Sequence, residues 1–120
     1  MKMARALYIL FVVWMVFVTI CSLLPSTSFP SSVVPLWGKI DKIGHFVAYF
    51  GASLLFYLTF RTRFKKIDIY AVLFASGYGA LMELGQLFVP GRDCSLGDVA
   101  INFSGALFFF LLYRILWGKI

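Results

Sequence analysis

The chain has few of the residues from which enzymes of familiar motif are built. It holds one histidine, two cysteines and five acidic side chains in 120 residues. No CxxC, GxGxxG, P-loop or HExxH pattern occurs. These gaps exclude a thioredoxin-type redox pair, the common nucleotide and dinucleotide cradles, and the helical zinc-protease site. No cofactor is expected. Cys21 and Cys94 are too few for a disulfide scaffold and are expected to remain thiols. Charge is scarce as well, at 13% of residues against about 25% in soluble domains. No internal repeat and no low-complexity tail breaks the chain.

What is present is apolar. Aliphatic, aromatic and cysteine residues make up 62% of the sequence, more than a fold of this size can hide from water, because small domains keep a large surface for their volume. Lipid is the solvent that suits it. The net charge of +6 does not indicate nucleic acid, since the basic residues punctuate apolar runs and form no stripe interleaved with aromatics.

A helix that crosses a bilayer needs about 20 apolar residues. Four segments qualify, at about 6–24, 43–60, 67–89 and 99–117. Only helices or closed barrels satisfy their backbone in lipid, and barrel strands are far shorter than these runs. The expected fold is therefore all-α, a polytopic bundle of four transmembrane helices forming one domain over 1–120. Pro25, Pro30 and Pro35 keep the first connection from being helical throughout. Arg61–Lys66 is a short basic turn, and Pro90-Gly91 opens a compact one.

Lysine and arginine set the expected orientation. Lys2, Arg5, Arg61, Arg63, Lys65, Lys66, Arg114 and Lys119 lie at the termini and in the second connection, whereas only Lys39, Lys42 and Arg92 lie on the opposite side. Both termini and the basic turn should face the cytoplasm, with Trp37 and Trp117 near opposite interfaces. The first apolar run is longer than a signal-peptide core, and no small-residue cleavage site closely follows it, so it is expected to stay as an anchor.

On that topology Asp41, His45, Glu83, Gln86, Arg92, Asp93, Asp98 and Asn102 gather toward the outer side. Asp41 and His45 share a helical face, continued by Tyr49 one turn deeper; so do Glu83 and Gln86, and Asp98 and Asn102. A carboxylate inside a span is expensive unless it faces protein, water or a partner. The three polar faces should therefore turn toward one another, with His45, Glu83 and Asn102 lining one cavity. Small residues, namely Gly44, Ala48 and Ala52 on the second span and Ala75 and Gly79 on the third, should allow close approach.

Each residue also has a plainer reading. Glu83 and Arg92 could be an ion pair between helices, Gln86 and Asn102 interhelical hydrogen-bond glue, and His45 a packed histidine. Asp41 and Asp98 could be helix N-caps. The fourteen phenylalanines are expected to pack and to face lipid.

The run Asp41-Lys42-Ile43-Gly44-His45-Phe46, with Glu83-x-x-Gln86-x-Phe88-x-Pro90-Gly91-Arg92 and Asp98-x-x-x-Asn102-x-x-Gly105, resembles the VanZ-like family. The resemblance runs from the second span to the fourth. It implies a multi-pass protein of the bacterial cell membrane and envelope, with a link to glycopeptide resistance, since the founding member is associated with low-level teicoplanin resistance. A site at the outer leaflet would bind or modify an anionic, lipid-linked or drug-like molecule, such as a cell-wall precursor or a glycopeptide. Asp41, Lys42, His45, Glu83, Gln86, Arg92, Asp98 and Asn102 are the candidate binding residues. In an enzymatic version His45 or Glu83 would be general acid or base. A divalent metal on Asp41, His45, Glu83 and Asp98 suits the donor types, although the spacing does not demand one. Two alternatives stand beside this reading: a small transporter or exporter, which with four spans would work as a homo-oligomer, and a non-catalytic subunit docked on another membrane protein.

Overall fold

A computed structural model describes residues 2–23, 37–89 and 96–117, with residues 37–41 described by their backbone alone. It contains four long helices: α1 (Lys2–Leu23), α2 (Trp37–Phe60), α3 (Ile67–Gly85) and α4 (Leu96–Leu116). A 3-10 turn over Gln86–Phe88 extends α3. All four are long and apolar enough to cross a membrane. A helix of 21 residues such as α4 spans about 32 Å, close to the hydrocarbon thickness.

Contacts between helix ends fix the arrangement. Thr59 Oγ1 near the end of α2 donates to the Leu7 carbonyl near the start of α1, and Arg114 near the end of α4 reaches Asp68 at the start of α3. At the opposite end Gln86 donates to the Ser22 carbonyl, and Lys42 faces Asp98. Successive helices therefore run up and down, and the start of α1 and the end of α4 share one end of the bundle with the Arg61–Lys66 turn. α2 is the hub, packed against α4, α3 and α1. α1 is the outlier and buries only Met15, Val18 and Ser22.

In lipid the packing force is close contact and hydrogen bonding rather than withdrawal from water. The residues between helices are accordingly small: Ala52, Ala71, Ala75 and Ala106 are completely buried. A Cβ on Gly105 would run into the Phe46 carbonyl oxygen, so α4 rests on the backbone of α2 there. Gly51 accepts the Trp14 ring in the same manner, and Trp14 Nε1 donates to the Ala48 carbonyl, fastening α1 to α2. Around these contacts lies a shell of exposed Val, Leu, Ile and Phe, including Val13, Phe17, Leu73, Leu81 and Leu111, the surface expected against acyl chains. The phenylalanines divide between both roles. Phe109 is buried between Phe50, Tyr57 and Tyr113, while Phe108 is half exposed.

Several local expectations need correction. α2 begins at Trp37, six residues before the start expected at 43, so Asp41 sits inside the helix and is not its N-cap. Asp98 lies in the first turn of α4 rather than ahead of it, where it still favours the positive end of the helix dipole. α3 does not stay α-helical to Val89; its last carbonyls are taken up by tighter bonds, with Val89 N–H donating to the Gln86 carbonyl over 3.1 Å. Gly44 is exposed, and a Cβ added there meets nothing within 4 Å. It takes no part in the close approach, which falls to Gly79 and Gly105.

Candidate functional site

Three helices carry polar side chains to one point. His45 lies on the third turn of α2, Glu83 near the end of α3, and Asp98 and Asn102 on the first two turns of α4. His45 Nδ1 lies 2.7 Å from Asn102 Oδ1. An amide oxygen only accepts, so Nδ1 carries the proton and donates. The same ring nitrogen is 3.9 Å from Glu83 Oε1, a charged contact whenever the imidazole is protonated. Glu83 and Asn102 are each 1% exposed and His45 is 8% exposed. One imidazole nitrogen of His45 and one carboxylate oxygen each of Glu83 and Asp98 lie within 4.8 Å of one another.

The rim and the floor differ. Asp98, with 13% of its side chain exposed, faces the mostly exposed Lys42 at 3.7 Å, so the cluster meets solvent or headgroups at that edge. Below, the Tyr49 ring stacks on His45 with centroids 6.5 Å apart and an angle of 15°. Gly79 on α3 makes room for both neighbours: a Cβ there would come to 3.0 Å from Asn102 and 3.2 Å from Tyr49. Asn102 Nδ2 is buried and has no hydrogen-bond partner among the described residues, while the Tyr49 hydroxyl is turned toward Ser22. A buried donor left without an acceptor costs about 1–3 kcal/mol, which marks this as a place where a further acceptor would be welcome.

His45, Glu83, Asp98, Asn102 and Lys42 are thus brought together. Gln86 is not: it is buried, and its Nε2 donates to the Ser22 carbonyl over 2.9 Å, away from its neighbour Glu83 and toward α1. Arg92, Asp93 and Cys94 lie outside the described residues, as does the side chain of Asp41. Tyr49 belongs to the cluster although it was not among the expected binding residues; its position four residues after His45 was the available signal. The Asp68–Arg114 pair, with Arg114 Nε donating to Asp68 Oδ2 over 2.7 Å, was not foreseen. It closes the other end of the bundle.

Residues 5–117 match the VanZ/LLP1 family, nearly the whole chain. The chain belongs to that family. This makes it a VanZ-like bacterial membrane protein, and its four apolar helices are those of a multi-pass protein in contact with the lipid bilayer. No curated protein and no solved structure matches this VanZ-like chain. The family and the helices account for the setting of the cluster. Its chemistry has to be argued from the side chains.

Proposed function

We propose that this VanZ-like protein binds or modifies an anionic, lipid-linked or drug-like molecule at the outer leaflet of the bacterial cell membrane, in the cluster around His45, Glu83, Asp98 and Asn102. The observation that carries the reading is the burial of the Glu83 carboxylate, at 1% exposure, where three helices converge beside a histidine and an unsatisfied amide N–H. A buried ionisable group in a span is retained where it serves a ligand, an ion or a proton. Asn102 Nδ2 would donate to the ligand's oxygens, and Lys42 at the rim would receive its charge. If the site turns its ligand over, His45 and Glu83 are the acid–base pair in reach.

The basic residues favour an orientation with the termini and the Arg61–Lys66 turn in the cytoplasm. With that orientation the cluster would lie in the outer leaflet, where cell-wall precursors and glycopeptides meet the membrane. A transporter is less well supported, because among the described residues the layer between the cluster and the Asp68–Arg114 pair holds Ala52, Ala75, Ala106 and Phe109 with the hydroxyls of Ser53 and Ser76 but no buried acid, base or imidazole.

The test uses teicoplanin and a polyprenyl phosphate as probes. Bacteria expressing the chain should tolerate more teicoplanin than controls, and purified protein in nanodiscs should retain the polyprenyl phosphate saturably. Glu83→Gln should abolish both effects at unchanged membrane abundance. A variant with full tolerance and full binding would show that the carboxylate is structural.

A further inference from the structure

We infer that His45, Glu83 and Asp98 form a binding site for one divalent transition-metal ion. The donor set comes from three different helices and converges without belonging to one local motif. One His45 nitrogen and one oxygen from each carboxylate already lie within 4.8 Å of one another. Ligand atoms around a four-coordinate ion at 2.0–2.2 Å sit about 3.3 Å apart. Closing to that spacing takes rotation of the imidazole and carboxylate side chains.

The surroundings of the histidine point the same way. Its Nδ1 donates to Asn102 Oδ1, which fixes the ring, and Nε2 is the nitrogen that would take the ion. A hydrogen bond from one ring nitrogen to a fixed oxygen is the usual outer support of a histidine ligand, setting ring orientation and basicity. Asn102 is itself 1% exposed, held over Gly79, and its Nδ2 has no hydrogen-bond partner among the described residues. That N–H would donate to an oxygen brought in beside the ion. Two carboxylates with one imidazole make a mixed oxygen–nitrogen set, suited to Zn²⁺ or Mn²⁺ more than to Mg²⁺ or Ca²⁺, which favour oxygen alone. Three protein ligands leave at least one position open for water or a ligand oxygen. The position of the site, buried on the helix side and reached past Asp98 and Lys42, gives that oxygen a way in.

The inference deepens the ligand-binding reading of the same cluster by supplying an electrophile for a phosphate or carboxylate oxygen, yet the ion itself does not depend on that reading. The experiment separates them. Full-length protein in nanodiscs, stripped with chelator and dialysed, is titrated with Zn²⁺ and with Mn²⁺ by calorimetry, and its metal content is measured after gel filtration. The expected result is one ion per chain, with Mg²⁺ and Ca²⁺ at least tenfold weaker. Glu83→Gln and Asp98→Asn, close in shape to the native residues, should each weaken binding at least tenfold. Asn102→Leu should weaken it about tenfold or more through His45, and Asp68→Asn, at the opposite end, should leave it unchanged. Substoichiometric or unsaturable binding overturns the inference, and so does binding that survives Glu83→Gln and Asp98→Asn in folded protein. Ion binding that meets these criteria, in protein that retains neither polyprenyl phosphate nor teicoplanin, keeps the metal site and removes the ligand reading.

Discussion

His45 and Asn102 share their hydrogen bond beside the point where α4 rests on the backbone of α2. Asn102 is three residues ahead of Gly105, and His45 immediately precedes Phe46, whose carbonyl oxygen occupies the space a Gly105 side chain would need. The polar contact and the backbone contact therefore depend on one another. Close approach at Gly105 brings the imidazole within reach of the amide, and the hydrogen bond holds the two helices in that register.

A substitution at Gly105 should accordingly disturb stability and site together. Gly105→Ala drives a methyl group into backbone rather than into a flexible side chain, and overpacking of this kind costs about 1–3 kcal/mol. Thermal unfolding in detergent should show a lower midpoint for Gly105→Ala, with weaker ligand binding to the protein that remains folded. Gly44→Ala should leave both unchanged, because its Cβ meets open space. Equal effects of the two would mean that α2 and α4 do not meet as described.

Much of this was legible in the sequence, and the parts that were not have a common cause. Four apolar runs define four spans because a helix in lipid needs no amphipathic face to announce it. The meeting of His45, Glu83 and Asn102 was legible from depth and from the penalty on a stray carboxylate. Helix rotation was not, since lipid and protein interior are equally apolar. That is why Gly44 was assigned a packing role that belongs to Gly105, and why Gln86 was grouped with Glu83 although it turns to α1. The start of α2 was hidden for another reason: Trp37-Gly38-Lys39 carries no capping signal, and the preceding prolines suggested a longer break.

Gln86 should behave as a fastening residue. Its amide donates to the Ser22 carbonyl from a buried position, joining α3 to an otherwise peripheral α1. Gln86→Ala removes the donor and leaves the carbonyl buried without it, a loss of about 1–2 kcal/mol. Hydrogen exchange should speed up in the last turns of α1 while the His45, Glu83 and Asp98 ligand set keeps its affinity. If exchange in α1 is unchanged and the affinity falls instead, Gln86 belongs to the binding site.

The Asp68–Arg114 pair makes a prediction about stability alone. Asp68 is buried, and Arg114 is about one-third exposed, with its guanidinium 5.1 Å from the centre of the Phe110 ring. Removing one partner of a buried pair strands the other, but the exposure of Arg114 lets water share the burden, so Arg114→Gln should cost about 2 kcal/mol. Asp68→Asn, which leaves no buried charge behind, should cost less. The double variant should cost less than the sum of the two single ones. Unfolding midpoints of the four proteins form the cycle, and strict additivity would mean that the pair contributes no coupling.

Orientation is the prediction on which the outer-leaflet reading depends, and it can be tested without reference to any ligand. Lysine and arginine bias loops toward the cytoplasm when they lie in short connections close to the membrane. The Arg61–Lys66 turn meets both conditions, holding Arg61, Arg63, Lys65 and Lys66 in six residues. Its residues are exposed, so a thiol placed there would be accessible from whichever side it faces. Leu96, at the first residue of α4 and 87% exposed, marks the other end of the bundle. Single cysteines at Arg63 and Leu96, in a background with Cys21 and Cys94 changed to serine, can be treated in intact cells with a membrane-impermeant maleimide. Leu96→Cys should react from outside, and Arg63→Cys should react only after the cells are opened. The reverse pattern would place His45, Glu83 and Asp98 in the inner leaflet. A glycopeptide acting from outside could not reach them there, whereas the metal site would stand, because its three ligands are held by the helices and not by the side of the membrane they face.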